Sequence, residues 1–164
     1  MDRWFAPPGA RVKLESALCG GLLGALLVEG CLFFFRFFRY RDKNLYWELT
    51  GIRMLIPEAK MPGFNDFAAG ELRFFTVLFF TCVAIAAVHY LSFHMESKSI
   101  YVMRRIPNKA ELHVRCLALP AIFLAIGIVL AVVLYCSFLY VYIHYTPEGH
   151  LPENMNPSFW RILL

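Results

Sequence analysis

Glu29 is the residue whose type and placement most invite chemistry. It interrupts the apolar run LCGGLLGALLVEGCLFFF. An ionisable side chain at the centre of a bilayer costs about 3 kcal/mol on insertion scales, so it is expected to face protein or water and to serve a function. Glu29 is therefore expected to face a partner helix or a polar cavity and to contribute to transport or assembly. Solvation by Arg36, two turns on, or by lipid headgroups is the alternative. The histidines are His89, His94, His113, His144 and His150. His89 and His144 fall toward opposite membrane faces and cannot share a haem, which leaves His89 with His113 as the one pair to weigh. Five cysteines, Cys19, Cys31, Cys82, Cys116 and Cys136, lie in or beside apolar runs. Their odd number and the lack of CxxC point to small apolar residues, with no disulfide framework and no zinc site. The sequence holds no GxxxxGK[ST] phosphate loop, no HExxH and no GxSxG. Glu148 and Glu153 lie in PEGHLPENMNP with nothing to fix their geometry. No catalytic residue, metal or cofactor is expected, and the chain does not read as an enzyme.

The elements that must carry these residues follow from composition. The chain has 164 residues, 59% of them hydrophobic, against about 45–50% in soluble domains. The excess is gathered in runs long enough to cross a bilayer. The fold class expected is an all-α integral membrane protein, a single membrane domain over residues 1–164. Its three transmembrane helices are expected at about residues 16–38, 74–93 and 116–145, after an amphipathic N-terminus. The third is long for a hydrocarbon core of about 30 Å and should tilt or extend beyond it. A cleaved signal peptide is disfavoured, because no small-residue cleavage site follows the first apolar run.

The connection over 40–73 contains YWELTGIRMLIPEAKMPGFNDFAAGEL and reads as short interfacial helices and turns, with Asn65 or Asp66 capping the second span. Gly20 and Gly24 form a GxxxG, widened by Ala17, Gly21 and Ala25, which suits close helix packing within this chain or, preferably, against another.

The formal net charge is +4. The basic residues flank apolar runs, so topology and lipid headgroups explain them better than nucleic acid does. Eight fall in the N-terminus and the loop between spans two and three, and eight fall on the other side. The count alone is a tie. A C-terminal tail, residues 146–164, with one basic residue favours a cytoplasmic N-terminus and an external C-terminus.

The loop over 94–115 is more informative. In ESKSIYVMRRIPNKAELHVRC, Ile100, Met103 and Ile106 share a helical face, with Arg104 and Arg105 near its end. Pro107 punctuates, Asn108 can cap a new helix, and Glu111 completes a capping-box-like pair. The third helix is thus expected to start near Lys109 in water and to enter the membrane near Cys116. A helical tip, apolar on one side and basic on the other, suits a partner's groove.

The residues Glu96, Ser97, Ser99, Arg105-Ile106-Pro107, Lys109, Glu111 and Leu112 resemble the first cytoplasmic loop of six-helix ABC-type exporter permeases, over about residues 70 to 145. The resemblance implies a helical cytoplasmic coupling loop that contacts a separate ATPase subunit through Ile100, Met103, Arg104 and Arg105. It also implies a cytoplasmic N-terminus, a multi-pass place in a bacterial cell membrane, and a second permease chain or copy as partner. Permeases of that family carry six helices and this sequence carries three, the number in the first half of the fold. A small structural or regulatory membrane protein that packs against another membrane protein, without an ATPase, is the alternative.

Overall fold

A computed structural model describes residues 12–49, 52–95, 109–147, 149–152 and 162. In chain order these form α1 (Val12–Asn44), β1 (Tyr46–Leu49), β2 (Ile52–Leu55), α2 (Phe64–Phe67), α3 (Arg73–Met95) and α4 (Lys109–Tyr145). Three helices are long and apolar enough to cross a membrane, with candidate spans at Val12–Asn44, Arg73–Leu91 and Cys116–Tyr145. At 1.5 Å per residue, the 37 residues of α4 reach about 55 Å, well beyond a hydrocarbon core. Its first seven residues, KAELHVR, precede the apolar span. α1 runs several residues past each end of the expected span. Glu15 in its first turn and Arg41 and Lys43 in its last complement the helix dipole and extend it.

The connection departs from expectation. Instead of short helices throughout, it opens with an antiparallel hairpin in which Tyr46 pairs with Leu55 and Leu49 with Ile52. Tyr, Trp and Ile favour a pleated backbone, and the register leaves two residues between the strands. Ile56 N–H donates to Leu45 O at 2.9 Å and closes the base of the hairpin. Asn65 and Asp66 lie inside the one-turn α2 and do not cap α3. Gly63 precedes α2 without a side-chain cap.

The described residues divide into two compact units. The first holds residues up to 24 and 77–129. There Cys19, Leu78 and Cys82 form a small buried core with Leu22, Leu23, Ile85, Phe123 and Leu124 against it.

The second unit holds residues 25–76 and 130–164, and its core is aromatic. Phe33 stacks on Phe138 with ring centroids 4.0 Å apart, and Phe67 meets Phe33 edge-on at 5.6 Å. Phe64 packs on Tyr142, whose hydroxyl donates to Pro62 O at 2.5 Å. The tail is tied into this unit. Met61 N–H donates to His150 O at 3.0 Å, His150 Nε2 to Ile56 O at 3.0 Å, and Leu72 N–H to Ile162 O at 3.2 Å.

Close helix approach in this unit falls at Gly30. A Cβ there would stand 2.7 Å from Leu134 Cδ2. By contrast, no described atom lies within 4 Å of a Cβ built on Gly20, Gly21 or Gly24. Replacing Gly30 by Leu should cost about 1–3 kcal/mol through overpacking. A thermal melt of the purified chain in detergent checks this. Gly30→Leu is expected to melt earlier, and Gly20→Leu to melt as the parent does.

Candidate functional site

In each unit, described ionisable side chains meet around a buried acid or histidine. In the second unit, Glu29 projects from α1 and meets Arg73 at the start of α3, with Arg73 Nε 3.8 Å from Glu29 Oε1. Two turns along α1, Arg36 pairs with Glu71 in the turn before α3. Gly70 makes that turn possible. Its φ of +75° suits glycine, and an added Cβ would lie 3.2 Å from Arg73 Nε. Arg73 Nε in turn donates to Gly70 O at 3.0 Å, which fixes the guanidinium beside Glu29. Arg36, the alternative source of solvation for Glu29, is itself paired with Glu71.

Glu29 and Glu71 are both buried, and Oε2 of each lacks a hydrogen-bond partner among the described residues. Burial pushes the Glu71 carboxyl up to about 7, Arg36 pulls it down, and the charge of Glu29 pushes it up again. Glu71, which lies outside the apolar spans, can take up and release a proton near neutral pH. An acid whose folded-state pKa is raised binds more protons folded than unfolded between about pH 4.5 and 7. Stability therefore rises as pH falls through that window.

The first unit holds His89, which is buried. An α-helix pairs each carbonyl with the N–H four residues on, but residue 120 is proline and has no N–H. The carbonyl of Cys116 is thus left without its helical donor, and His89 Nδ1 donates to it at 3.1 Å. The other ring nitrogen, Nε2, lies 3.1 Å from Glu15 Oε2. His113 is engaged separately, with Nδ1 2.6 Å from the Tyr90 hydroxyl.

Among the described residues, no group of three or more His, Cys, Asp and Glu is placed to hold a metal ion. All five cysteines are free thiols. Ile100, Met103, Arg104, Arg105 and Asn108 lie outside the described residues, and Glu111 lies within α4. No family, no curated protein and no solved structure matches this chain.

Sequence reasoning singled out Glu29 and missed Glu71, Arg73 and the His89–Glu15 pair as partners. Pro120, four residues after Cys116, was the legible signal for an unpaired carbonyl. Two outcomes follow. Parent protein in detergent should gain melting temperature as pH falls from 8 toward 5, and Glu71→Gln should lack that gain; parallel profiles would contradict the assignment. His89→Leu should cost about 1–3 kcal/mol by stranding the Cys116 carbonyl. In a Pro120→Ala background, where the alanine supplies a helical N–H, the same change should cost about 1 kcal/mol less in a double-mutant cycle.

Proposed function

We propose that this chain is a membrane-spanning subunit of an ABC-type export complex. It would couple ATP hydrolysis in a separate ATPase subunit to movement in the membrane. One observation carries the reading. α3 ends at Met95 and α4 begins at Lys109, so the basic segment that resembles a coupling loop is bracketed by two long apolar helices. α4 continues for seven residues before its apolar span begins, which gives the segment a stiff polar lever.

In this reading the partner ATPase grips Ile100, Met103, Arg104 and Arg105, while Asn108 and Glu111 cap the helix behind them. Displacement of the segment is passed to α3 and α4, which flank it in the chain. The chain supplies motion and part of a pathway, and the ATPase supplies the chemistry. A second permease chain, or a second copy, completes the pathway. The tail hydrogen-bonds to the 56–72 connection, which supports a common side of the membrane for these two segments and an odd number of spans. With the coupling segment in the cytoplasm of a bacterial cell, the N-terminus is cytoplasmic and the tail external.

A second reading is favoured by the open face at Gly20, Gly21 and Gly24. In that reading the chain is a structural or regulatory subunit that packs this small-residue face against another membrane protein and meets no ATPase. A gentle-detergent pull-down with ATPase assay of the eluate separates the two. Coupling requires a co-eluting ATPase that is lost or uncoupled in Arg104→Glu/Arg105→Glu. Packing requires that variant to behave as the parent, while Gly20→Leu/Gly24→Leu loses its membrane partner.

A further inference from the structure

The far end of α1 carries a feature that neither reading uses. A pocket of about 410 Å³ is lined by Arg36, Arg39, Tyr40, Lys43, Asn44 and Phe67. Arg36, Arg39 and Lys43 stand at i, i+3 and i+7, on one face of the helix. Tyr40 and Phe67 meet edge-on at 5.6 Å and give the pocket a preformed aromatic wall. No carboxylate lines it. Among the described residues, Arg39 and Lys43 have no acidic partner. Arg36 pairs with Glu71 while its side chain stays 55% exposed. Asp42, the acid on the same turn, is held by Arg41, whose Nε and a terminal nitrogen donate to one carboxylate oxygen at 3.0 and 2.8 Å.

The helix dipole accounts for Lys43 but not for the two arginines of this cluster. Its field is confined to the last turn, where Arg41 and Lys43 sit, and Arg36 and Arg39 lie before it. The same face continues downward as apolar surface, with Leu32 one turn below Arg36 and Phe35 one turn below Arg39, both exposed. Cations above an outward apolar stripe match an amphiphile with an anionic head. Guanidinium groups suit phosphate oxygens, to which they can donate two parallel hydrogen bonds.

We propose that this pocket binds the phosphate headgroup of an anionic phospholipid, with the acyl chains lying along Leu32 and Phe35. The inference rests on the membrane reading and is independent of any ATPase. Arg39 and Lys43 are exposed and pair with no acid among the described residues, so Arg39→Gln/Lys43→Gln is the probe.

The test is native mass spectrometry of the full chain in detergent, titrated with dioleoyl phosphatidylglycerol, dioleoyl phosphatidylcholine or glycerol phosphate. Phosphatidylglycerol is expected to bind more tightly than phosphatidylcholine. Its affinity should fall about 25-fold in the double variant, from about fivefold per cation. Arg41→Gln, outside the pocket, should change it by less than about twofold. Equal binding of both lipids, an unaffected double variant, or an equal loss in Arg41→Gln would overturn the site while leaving the membrane reading intact. Displacement of the lipid by glycerol phosphate would make it a site for a soluble phosphate and overturn the lipid assignment. Failure of either lipid to bind would overturn the site and count against the membrane reading as well.

Discussion

The constraint on which the rest depends is that the long helices turn apolar side chains outward. Leu27, Val28, Leu32 and Phe35 on α1, Phe80, Val83 and Val88 on α3, and Ile126, Val129 and Val133 on α4 are all exposed. Water does not tolerate such continuous surface without association, and hydrocarbon does. For helices long and apolar enough to cross a membrane, hydrocarbon requires that the backbone satisfy itself and that each polar side chain find its partner in protein. The described contacts obey this rule. Thr81 and Ser137 donate back to carbonyls one turn earlier, at 2.8 and 2.7 Å. Glu29 draws Arg73, and the carbonyl freed by Pro120 draws His89.

The same constraint explains how the two units differ. The first unit packs small and aliphatic side chains, Cys19, Cys82 and Leu78, and isolates one polar constellation around His89. In the second, stacked phenylalanines are joined to a hydrogen-bonded layer of hairpin, one-turn helix and tail. Aromatic rings with a polar handle serve the boundary between those layers. Tyr142 packs its ring on Phe37 and Phe64 and gives its hydroxyl to the Pro62 carbonyl.

Run length and composition made the three helices legible, because about 20 apolar residues leave few alternatives. The start of α4 at Lys109 was also legible, from the proline and asparagine before it. The hairpin was not, since four-residue strands give too few alternations to outweigh aromatic residues that equally suit an interface. Glu29 was legible as a buried acid, but its partner was not. Periodicity points to Arg36 on the same helix, whereas Arg73 is brought in by a glycine turn about 40 residues later. Likewise GxxxG drew notice to Gly20 and Gly24, while the helix contact within the second unit falls at Gly30. Which face of a helix meets its neighbour is decided by packing across the chain, and local spacing does not contain it.

The proposed role as a coupling subunit stands on a membrane topology with three crossings. The most direct measurement is a topology map with paired reporters, one active only in the cytoplasm and one only outside it. They would be fused after residue 102 and after the C-terminus in intact cells. The account expects the cytoplasmic reporter to be active at 102 and the external one at the C-terminus. Activity of the same reporter at both positions would contradict three crossings, and the coupling role with them.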